Sequence, residues 1–227
     1  MPYYSFIILC YNNNELTKQA IETLINSLED TYIDQGIEII VVDNGSVDST
    51  EEVVKNIILS NIKQKIEIVY VGLMENMGYP VGINIGLSHC RGEIIGVLNN
   101  DLIFPNNWFN GLVEALETDE TIGVAAPYLS YAYGIQRTDV RLYSIDEINS
   151  FSKEFISKNK GKITYVTRVI GACMIIKRQV LEEVGGNDFF FGIGHFDDDD
   201  WCLRIRIAGY KIAVVGSSFV YHMGSKT

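Results

Sequence analysis

The first hundred residues alternate short apolar runs with stretches of helical periodicity, and this alternation limits the fold more than any other feature of the sequence. The apolar runs occupy residues 6–10, 37–42, 66–71 and 93–98. Helical patterns occupy residues 15–28, begin again at Ser49, and begin a third time at Pro80, since proline suits the first turn of a helix. Continuous apolar runs are typical of strands buried on both faces. Repeated strand–helix units therefore predict an α/β fold with a mostly parallel central sheet flanked by helices.

The second half of the chain is less regular. Residues 128–162 are polar and aromatic and are expected to leave the sheet, whereas residues 171–176 return to strand character. Residues 201–210 fit two periods, because apolar residues alternate with arginines as in a strand. The aspartates before this segment and Gly209 at its end suit the two ends of a helix instead. We predict a helix there, and a single domain over residues 1–227.

Polar clusters follow four of the predicted strands. They are residues 11–14, 43–46, 75–78 and 99–101. In open parallel sheets, ligands bind beyond the carboxyl ends of the strands. The sequence therefore predicts that the four clusters form one site at a single edge of the sheet.

Each cluster, taken alone, also has a purely structural interpretation. Asp43 can accept hydrogen bonds from a base or a ribose, but aspartate in this position also forms Asx-turns. Gly78, Gly82 and Gly86 are spaced by four, and glycine costs about 1 kcal/mol at a helical site, so they need a reason. Close packing of a helix on the sheet explains Gly82 and Gly86. Asn76 and Gly78 precede the helix and are better candidates for contact with a ligand.

Two side chains far apart in the sequence are candidate metal ligands. Asp101 directly follows an apolar run; it either caps a turn or, beside a diphosphate, holds Mg²⁺ or Mn²⁺ through its oxygens. His222 follows the apolar run at residues 212–215. A lone histidine is more often structural, so His222 becomes a candidate ligand only if the fold brings it to Asp101.

Four consecutive aspartates at residues 197–200 precede Trp201. Their mutual repulsion can raise the pKa of one carboxylate toward the range that suits a general base. The alternative is a helix N-terminus lined with acids, each worth about 0.3–1 kcal/mol. One or two aspartates would suffice for that purpose, so the run favours a functional role.

Composition argues against several other classes of protein. The net charge of −11 and the isoelectric point near 4.7 disfavour binding to nucleic acid and adhesion to an anionic membrane. The four cysteines show no metal-ligand spacing and lie in or beside apolar stretches, as buried free thiols do. Neither a signal peptide nor an apolar run of about 20 residues is recognised. These features predict a cytoplasmic protein without a transmembrane segment.

Taken in order, the motifs resemble those of the family 2 glycosyltransferases with the GT-A fold, over nearly the whole chain. They are Ile8-Leu-Cys-Tyr-Asn12, Val42-Asp-Asn-Gly-Ser46, Asn76-Met-Gly78 with Asn84-Ile-Gly86, Asn99-Asn-Asp101, Gly171-Ala-Cys-Met174, Gly185-Gly186, Asp197-Asp198 with Cys202-Leu-Arg204 and Ala208-Gly-Tyr210, and His222. Any one of these motifs is weak, whereas the ordered set is specific.

The resemblance implies a GT-A-type, Rossmann-like fold and an enzyme that moves a sugar from a nucleoside-diphosphate sugar to an acceptor hydroxyl with inversion. It implies a nucleotide-sugar half at about residues 1–101 and an acceptor-binding and catalytic half at about 102–227. Asp198 would be the general base, and Asp101 with His222 would hold Mn²⁺ or Mg²⁺. The implied substrate-binding residues are Tyr11, Asp43, Asn76, Gly78, Asn99, Asn100, Asp101, Asp197 and Trp201.

Two departures from the family pattern bear on the site. Asn99 stands where the family often has an acid, so Asp101 is the one charged residue of its motif and the expected metal affinity is weak. The run of four aspartates leaves the register uncertain by one residue, so Asp197 and Asp199 are alternatives to Asp198 as the base.

The substrates are less well defined than the reaction. The resemblance favours a uridine diphosphate sugar as donor and allows a carbohydrate, a lipid-linked or a protein acceptor, which residues 128–162 are expected to select. Two other functions remain open at this point. One is a module that binds sugar nucleotides or docks a partner without catalysis, and the other is a retaining glycosyltransferase on the same fold.

Overall fold

The fold is built around a mixed β-sheet. A computed structural model describes residues 1–61 and 65–224. Within these residues the sheet has nine strands in the order β3-β2-β1-β4-β8-β6-β9-β5, and β7 pairs with β9. The strands are β1 (Tyr4–Cys10), β2 (Ile37–Asp43), β3 (Ile66–Gly72), β4 (Ile94–Asn99), β5 (Leu102–Ile103), β6 (Ile122–Leu129), β7 (Ile163–Val166), β8 (Cys173–Lys177) and β9 (Lys211–His222).

Helices cover both faces of this sheet. They are α1 (Asn14–Ser27), α2 (Asp30–Gln35), α3 (Thr50–Ser60), α4 (Tyr79–His89), α5 (Asn110–Thr118), α6 (Ile145–Asn159), α7 (Arg178–Val184) and α8 (Asp197–Ile207). Helices α1, α3 and α5 contribute to the core on one face. Helices α4, α7 and α8 contribute to the core on the other.

Strand β1 lies between the two cores, and all seven of its residues are buried. Phe6 and Ile8 belong to the core with α1, whereas Ile7 and Leu9 belong to the core with α4. Successive side chains of a strand point to opposite faces. A strand covered on both faces must therefore be apolar throughout, which explains the unbroken run in the sequence.

The predicted parallel arrangement is confirmed for the first four strands, where β1 pairs with β2 and β4, and β2 pairs with β3. Helices α1, α3 and α4 supply the crossovers that parallel strands require. The second half is mixed, because β8 runs antiparallel between β4 and β6. Strands β6 and β9 are parallel again. Strands β5 and β7 are also reversed, because both pair antiparallel with β9. The sheet is thus mostly parallel, with six strands in one direction and three against them.

Helix α4 packs directly on β1. A Cβ atom at Gly82 would lie 2.5 Å from Cδ1 of Leu9, and one at Gly86 would lie 2.5 Å from Cγ2 of Ile7. Real Cβ contacts are not this short, so a side chain at either position would displace its neighbour. The prediction that Gly82 and Gly86 permit close packing of the helix on the sheet is confirmed.

Strand β9 brings the end of the described chain next to the residues that follow β4. It pairs first with β6 and β7, and its last residue, His222, pairs with Leu102 of β5. The main-chain nitrogen of Met223 donates to the carbonyl oxygen of Asp101 at 3.0 Å. The pairing of β9 with β5 therefore brings His222 to Asp101, as the proposed metal site requires.

The helix predicted around Trp201 is confirmed as α8, and its four aspartates form the first turn. The segment expected to leave the sheet at residues 128–162 does so from residue 130, because β6 continues through Leu129. It contains α6, where the Ser144 side chain accepts a hydrogen bond from the main-chain nitrogen of Glu147 and caps the helix. Phe151 and Phe155 of α6 pack against Phe219 of β9. This segment therefore covers the sheet close to the end of β9.

Gly78 immediately precedes α4 and has a φ of +87°. A Cβ atom there would collide with the carbonyl oxygen of Gly192. We expect Gly78→Ala to lower the free energy of unfolding by about 3 kcal/mol, because the positive φ and the neighbouring backbone both oppose a side chain. Urea denaturation measures this loss.

Gly134 provides the control. It has a φ of +66°, but nothing lies within 4 Å of the Cβ position. Gly134→Ala should therefore cost about 1 kcal/mol from the backbone conformation alone. Equal losses in the two variants would show that the approach of Gly192 is not a constraint.

Candidate active site

The carboxyl ends of β1 and β4, the end of β9 and the loop before α8 surround a cavity of about 720 Å³, called the central cavity below. Polar side chains, aromatic rings and main-chain groups share its wall. The lining residues are Leu9, Cys10, Tyr11, Asn44, Asn76, Tyr79, Asn99, Asn100, Tyr133, Arg168, Ile170, Gly171, Ala172, Ile193, Gly194, His195, Phe196, Asp197, Asp198, Asp199 and His222. The predicted meeting of separate polar clusters at one edge of the sheet is confirmed.

His222 and Asp101 form a buried pair beside this cavity. Nε2 of His222 lies 3.2 Å from Oδ1 of Asp101, and the two side chains are 9% and 1% exposed. Burial is the largest influence on the pKa of His222 and lowers it. The contact with Asp101 and the hydrogen bond with the carbonyl oxygen of Tyr131 together outweigh burial, so the pKa lies above its ordinary value. A proton on His222 and a metal cation would therefore compete for the same pair of side chains.

Ser130 holds the main chain of His222 in two ways. The Ser130 hydroxyl donates to the carbonyl oxygen of His222 at 2.9 Å and accepts from its main-chain nitrogen at 2.8 Å. Nδ1 of His222 lies 2.7 Å from the carbonyl oxygen of Tyr131. When Nδ1 carries the proton and donates to this oxygen, Nε2 of the neutral imidazole is left as an acceptor facing Asp101. The main chain and the ring of His222 are both oriented before any ligand arrives.

The Asp101 carboxylate suits a divalent cation. Both of its oxygens are buried, and apart from the contact of Oδ1 with Nε2 of His222, neither has a hydrogen-bond partner in the part of the chain that the structure describes. A buried charge without such partners is costly, and a cation relieves the cost. A carboxylate and an imidazole together suit a divalent first-row metal such as Mn²⁺. Asp101 and His222 are therefore the residues that fit a metal.

Two protein ligands leave room for others. In residues 1–61 and 65–224, no group of three or more histidine, cysteine or acidic side chains is arranged to hold a metal. Mg²⁺ in particular is usually bound by one or two carboxylates together with substrate phosphates and water. A cation held by Asp101 and His222 would therefore need water or a phosphate-bearing ligand to complete its coordination.

Asp197 and Asp198 line the cavity but differ in environment. Oδ2 of Asp198 accepts a hydrogen bond from the main-chain nitrogen of Gly171 at 3.0 Å, and Oδ1 accepts one from the main-chain nitrogen of Asp199 at 2.9 Å. Asp197 is buried more deeply. Burial, and then the charge of Asp198, raise the pKa of Asp197 above its ordinary value. The repulsion expected within the run therefore acts on Asp197.

Asp199 and Asp200 are each engaged by an arginine. Asp199 accepts two hydrogen bonds from one terminal nitrogen of Arg168, at 2.7 and 2.6 Å. Asp200 accepts one from Nε of Arg204 at 2.8 Å. Both carboxylates are thereby balanced within the fold, whereas Asp197 and Asp198 have no cationic side chain as a hydrogen-bond partner among the described residues.

Tyr79, the first residue of α4, is hydrogen-bonded to the segment that supports Asp198. Its hydroxyl donates to the carbonyl oxygen of Gly171 at 3.0 Å, and the nitrogen of that same residue donates to Asp198. Burial raises the pKa of Tyr79 well above its ordinary value, and the nearby charges of Asp197 and Asp198 add to the effect. Tyr79 is therefore a neutral donor that anchors the segment supporting Asp198.

Asn44 shapes the turn before α4. Its Nδ2 donates to Oδ1 of Asn76 at 3.0 Å and to the carbonyl oxygen of Gly78 at 3.2 Å, while its Oδ1 accepts from the main-chain nitrogen of Met77 at 3.0 Å. Oδ1 of Asn76 also accepts from the nitrogen of Gly78 at 2.9 Å. The amide of Asn76 is thereby held in the cavity wall.

Asp43 lies beside the cavity instead of in its wall. Oδ1 accepts from the main-chain nitrogen of Ser46, and Oδ2 accepts from the hydroxyl of Tyr70, both at 2.8 Å. Burial, together with the bond to Asp43, raises the pKa of Tyr70, so this hydroxyl stays protonated and donates. The role of Asp43 in binding a base or a ribose remains a prediction.

The other site residues expected from the sequence fall into two groups. Gly78 and Asp101 lie next to the cavity without lining it. The expected residues that do line the cavity are Tyr11, Asn76, Asn99, Asn100, Asp197, Asp198 and His222. This placement brings the expected residues together, while the role of each remains a prediction.

The expected contact of Trp201 with substrate is corrected by the structure. Trp201 is 1% exposed and packs with Cys202 and Ile205 in the core beneath α8. Its Nε1 donates to the carbonyl oxygen of Gly185 at 2.9 Å. Trp201 follows the aspartates in sequence, but the helical period turns its side chain toward the core. It therefore does not reach the cavity.

The lining residues that were not expected from the sequence include Tyr79, Tyr133 and Arg168. Tyr79 follows the turn at Asn76 and Gly78 directly, and this adjacency was an available signal. Tyr133 and Arg168 offered none, because their neighbours in the cavity are distant in sequence. Arg168, for example, is 31 residues from Asp199.

The chain matches a known family over most of its length. The model of glycosyl transferase family 2 matches residues 5–185. The chain therefore belongs to glycosyl transferase family 2.

Relatives of known name include glycosyltransferases. Glycosyltransferase AglE of Haloferax volcanii is 25% identical over 214 residues, which cover 93% of this chain and 64% of the relative. The minor teichoic acid biosynthesis protein GgaA of Bacillus subtilis is 30% identical over 127 residues, which cover 54% of this chain and 26% of the relative. The chain spans between about a quarter and two thirds of the length of these relatives.

Solved structures share the fold. The mannosyltransferase PcManGT from Pyrobaculum calidifontis, in complex with GDP-Man and Mn²⁺, has a TM-score of 0.72 at 20% identity, over 99% of this chain and 58% of that chain. TarS from S. aureus in complex with UDP-GlcNAc has a TM-score of 0.66 at 16% identity, over 99% of this chain and 61% of that chain. The expected GT-A-type fold is confirmed.

Ser130→Ala removes both hydrogen bonds to the main chain of His222. We expect Mn²⁺ to bind about tenfold more weakly in the presence of UDP, because groups that orient a metal ligand affect affinity on this scale. Electron paramagnetic resonance of unbound Mn²⁺ measures the change. Ser152→Ala is the control, since Ser152 is also buried and its hydroxyl has no hydrogen-bond partner among the described residues. Unchanged Mn²⁺ affinity in Ser130→Ala would contradict the role of Ser130.

Proposed function

We propose that this protein transfers a sugar from a nucleoside-diphosphate sugar to an acceptor hydroxyl, with metal assistance and with inversion at the anomeric carbon. One observation carries the proposal: the Asp101–His222 pair and the Asp198 carboxylate, which are far apart in sequence, adjoin one cavity. Membership in glycosyl transferase family 2 supports it. The structures that share the fold hold GDP-Man or UDP-GlcNAc, and we propose a uridine diphosphate sugar as the donor here.

The donor would bind along the first half of the chain. Tyr11 and Asn76 line the cavity at the ends of β1 and the turn before α4, and Asn99 and Asn100 line it at the end of β4. Tyr11 offers an aromatic ring that is 42% exposed and available to a base. The asparagine amides offer donors and acceptors for the ribose and the diphosphate.

Mn²⁺ or Mg²⁺ would be held by Asp101 and His222. When bound, such a cation stabilises the negative charge that develops on a departing diphosphate. The buried carboxylate of Asp101, which the His222 imidazole contacts through Oδ1, supports this assignment. Asn99 is uncharged, so Asp101 is the residue of this motif that would supply negative charge to the metal.

Asp198 is the proposed general base. Asp199 and Asp200 are balanced by Arg168 and Arg204, and Asp197 is more deeply buried, which leaves Asp198 as the partly exposed carboxylate of the cavity. It would take the proton of the acceptor hydroxyl as that oxygen bonds to the anomeric carbon. The bond to the nucleoside diphosphate breaks on the opposite face, so the configuration inverts. The two main-chain donors hold the Asp198 carboxylate in the cavity wall.

The remaining parts of the proposal concern the chain as a whole. We propose one domain, with donor binding in residues 1–101 and acceptor binding in residues 102–227. All four cysteines are buried and unpaired, which supports the proposed cytoplasmic location, a reducing compartment. In the described residues, no helix has both the length and the apolar character to cross a membrane.

Two measurements separate the alternative functions. NMR of the product anomer distinguishes inversion from retention, and any turnover excludes a module that only binds.

Asp198→Asn should leave the affinity for a sugar nucleotide within about threefold of wild type and lower turnover by about 10³-fold, because proton transfer by a positioned base contributes on this scale. Calorimetry measures the affinity, and release of the nucleoside diphosphate measures turnover. Asp200→Asn is the matched control in the same turn of α8, since Asp200 is engaged by Arg204 outside the cavity wall. If Asp197→Asn abolishes turnover while Asp198→Asn does not, Asp197 is the base.

UDP with Mn²⁺ should raise the melting temperature by about 6 °C at ligand concentrations near 100 times the dissociation constant. Chelation with EDTA should remove most of this rise, because the diphosphate would lose its bridging cation. His222→Gln should show a reduced rise in the presence of Mn²⁺. An undiminished rise after chelation would remove the metal from the proposal.

A further inference from the structure

Tyr79 lies where three segments of the candidate active site meet. It is the first residue of α4 and directly follows the turn at residues 75–78, called the donor turn below because the donor is proposed to bind beside it. Its main-chain nitrogen donates to the carbonyl oxygen of Ile193 at 3.2 Å, in the loop before α8. Its hydroxyl donates to the carbonyl oxygen of Gly171 at 3.0 Å. Tyr79 therefore joins the donor turn to two segments that lie next to Asp198.

The main chain of Tyr79 is held by close packing. A Cβ atom at Gly78 would collide with the carbonyl oxygen of Gly192, and one at Gly194 would lie 3.4 Å from the Cβ atom of Tyr79. Protein interiors packed this closely resist displacement. The donor turn and the loop before α8 therefore stay together whether or not the Tyr79 hydroxyl is present.

The hydroxyl of Tyr79 bears on the proposed base through Gly171. The main-chain nitrogen of Gly171 donates to Oδ2 of Asp198 at 3.0 Å. A Cβ atom at Gly171 would lie 3.3 Å from the Cβ atom of Asp198 and 3.5 Å from the hydroxyl oxygen of Tyr79. Gly171 thus lies between the two side chains and bonds to one through each of its polar main-chain groups. Movement of Gly171 therefore moves one of the two main-chain donors on Asp198.

Tyr79 suits a fixed donor better than a proton carrier. Burial raises its pKa well above the ordinary value, and the charges of Asp197 and Asp198 add to the effect. A hydroxyl that stays protonated and already donates to a carbonyl oxygen has no proton to offer a substrate. The tyrosine side chain has two χ angles, so its hydroxyl reaches Gly171 with little loss of conformational freedom.

We propose that Tyr79 is a positioning residue for the general base: its side chain fixes the distance between the donor turn and the segment that holds the Asp198 carboxylate. This inference rests on the proposed function, since it presupposes that Asp198 takes the proton of the acceptor hydroxyl. A general base must lie within hydrogen-bond reach of the proton that it takes. A displacement of about 1 Å can lower the rate by about 10²-fold. Tyr79 thus acts on the reaction through Gly171 and Asp198.

Tyr79→Phe removes the hydroxyl and keeps the ring. Release of UDP is measured with Mn²⁺ and the best of three probes, UDP-glucose, UDP-galactose and UDP-N-acetylglucosamine, with water in place of the acceptor. We expect kcat to fall about tenfold while KM for the UDP-sugar stays within about threefold, because the base is displaced and the donor contacts remain. A raised KM with unchanged kcat would identify a donor contact instead and overturn the proposal.

A double-mutant cycle shows whether Tyr79 acts through Asp198. In an Asp198→Asn background, Tyr79→Phe should lower kcat by less than about twofold, because a base that is absent is not there to be displaced. A second loss of about tenfold in that background would show that Tyr79 acts independently of Asp198, and the proposal would be wrong.

Gly171→Ala tests the same link without changing Tyr79, and it remains informative if Tyr79→Phe does not fold. Its Cβ atom would press on Asp198 and on the Tyr79 hydroxyl, so kcat should again fall about tenfold, but less than about twofold in the Asp198→Asn background. Unchanged kcat in Gly171→Ala would show that Gly171 does not set the position of the base.

Amide hydrogen exchange measured by NMR needs no substrate, so it decides the proposal even if water does not replace the acceptor. The amide proton of Gly171 reports its bond to Asp198 and should exchange at least about tenfold faster in Tyr79→Phe. Tyr4→Phe is the matched control, because Tyr4 is buried in β1 and its hydroxyl donates to Oε1 of Gln35 at 3.3 Å, outside the cavity wall. It should match wild type in kcat and in exchange at Gly171. Unchanged exchange in Tyr79→Phe would overturn the proposal.

Binding of UDP with Mn²⁺ separates this inference from the proposed function. Tyr79→Phe should bind UDP as wild type does, because the donor turn is held by main-chain contacts that the variant keeps. If wild type binds UDP but Tyr79→Phe leaves exchange at Gly171 unchanged, the positioning role is wrong and the transferase proposal stands. If wild type binds no UDP, the transferase proposal fails, and this inference fails with it.

Discussion

The buried contact between Asp101 and His222 is the interaction on which the site depends. The carboxylate that follows β4 is held out of water, and in the described residues its one polar side-chain contact is with His222, at the far end of β9. Such a group is costly to bury unless a proton or a metal balances it. A cation bound with the proposed diphosphate would relieve this cost.

The rest of the structure keeps that contact in position. Strand β9 is twelve residues long, so one element both completes the core beside β6 and carries His222 across to β5. Ser130 then bonds both polar main-chain groups of His222. Stability and site geometry thus depend on the same strand pairing, and loss of the β9 register would remove the ligand and expose the core together.

The sequence predicted the elements that obey simple periodicity. Strands β1, β2 and β4 are buried along nearly their whole length, so their apolar runs and the polar turns after them were visible in the sequence. The reversal of β8 was not, because the direction of a strand depends on the long connection that precedes it. The roles of Arg168 and Trp201 were hidden for a related reason: one depends on a pairing 31 residues away, and the other on which face of α8 turns inward.

The run of aspartates shows how a fold assigns different tasks to identical residues. All four occupy the first turn of α8, where the helix dipole favours negative charge. Helical geometry turns each toward a different neighbour: Asp199 toward Arg168, Asp200 toward Arg204, Asp197 toward the interior, and Asp198 toward two main-chain donors and the cavity. Two are neutralised by arginines and one is shielded by burial. The charge that stays available to a ligand is therefore set by what packs around the helix, and composition alone does not reveal it.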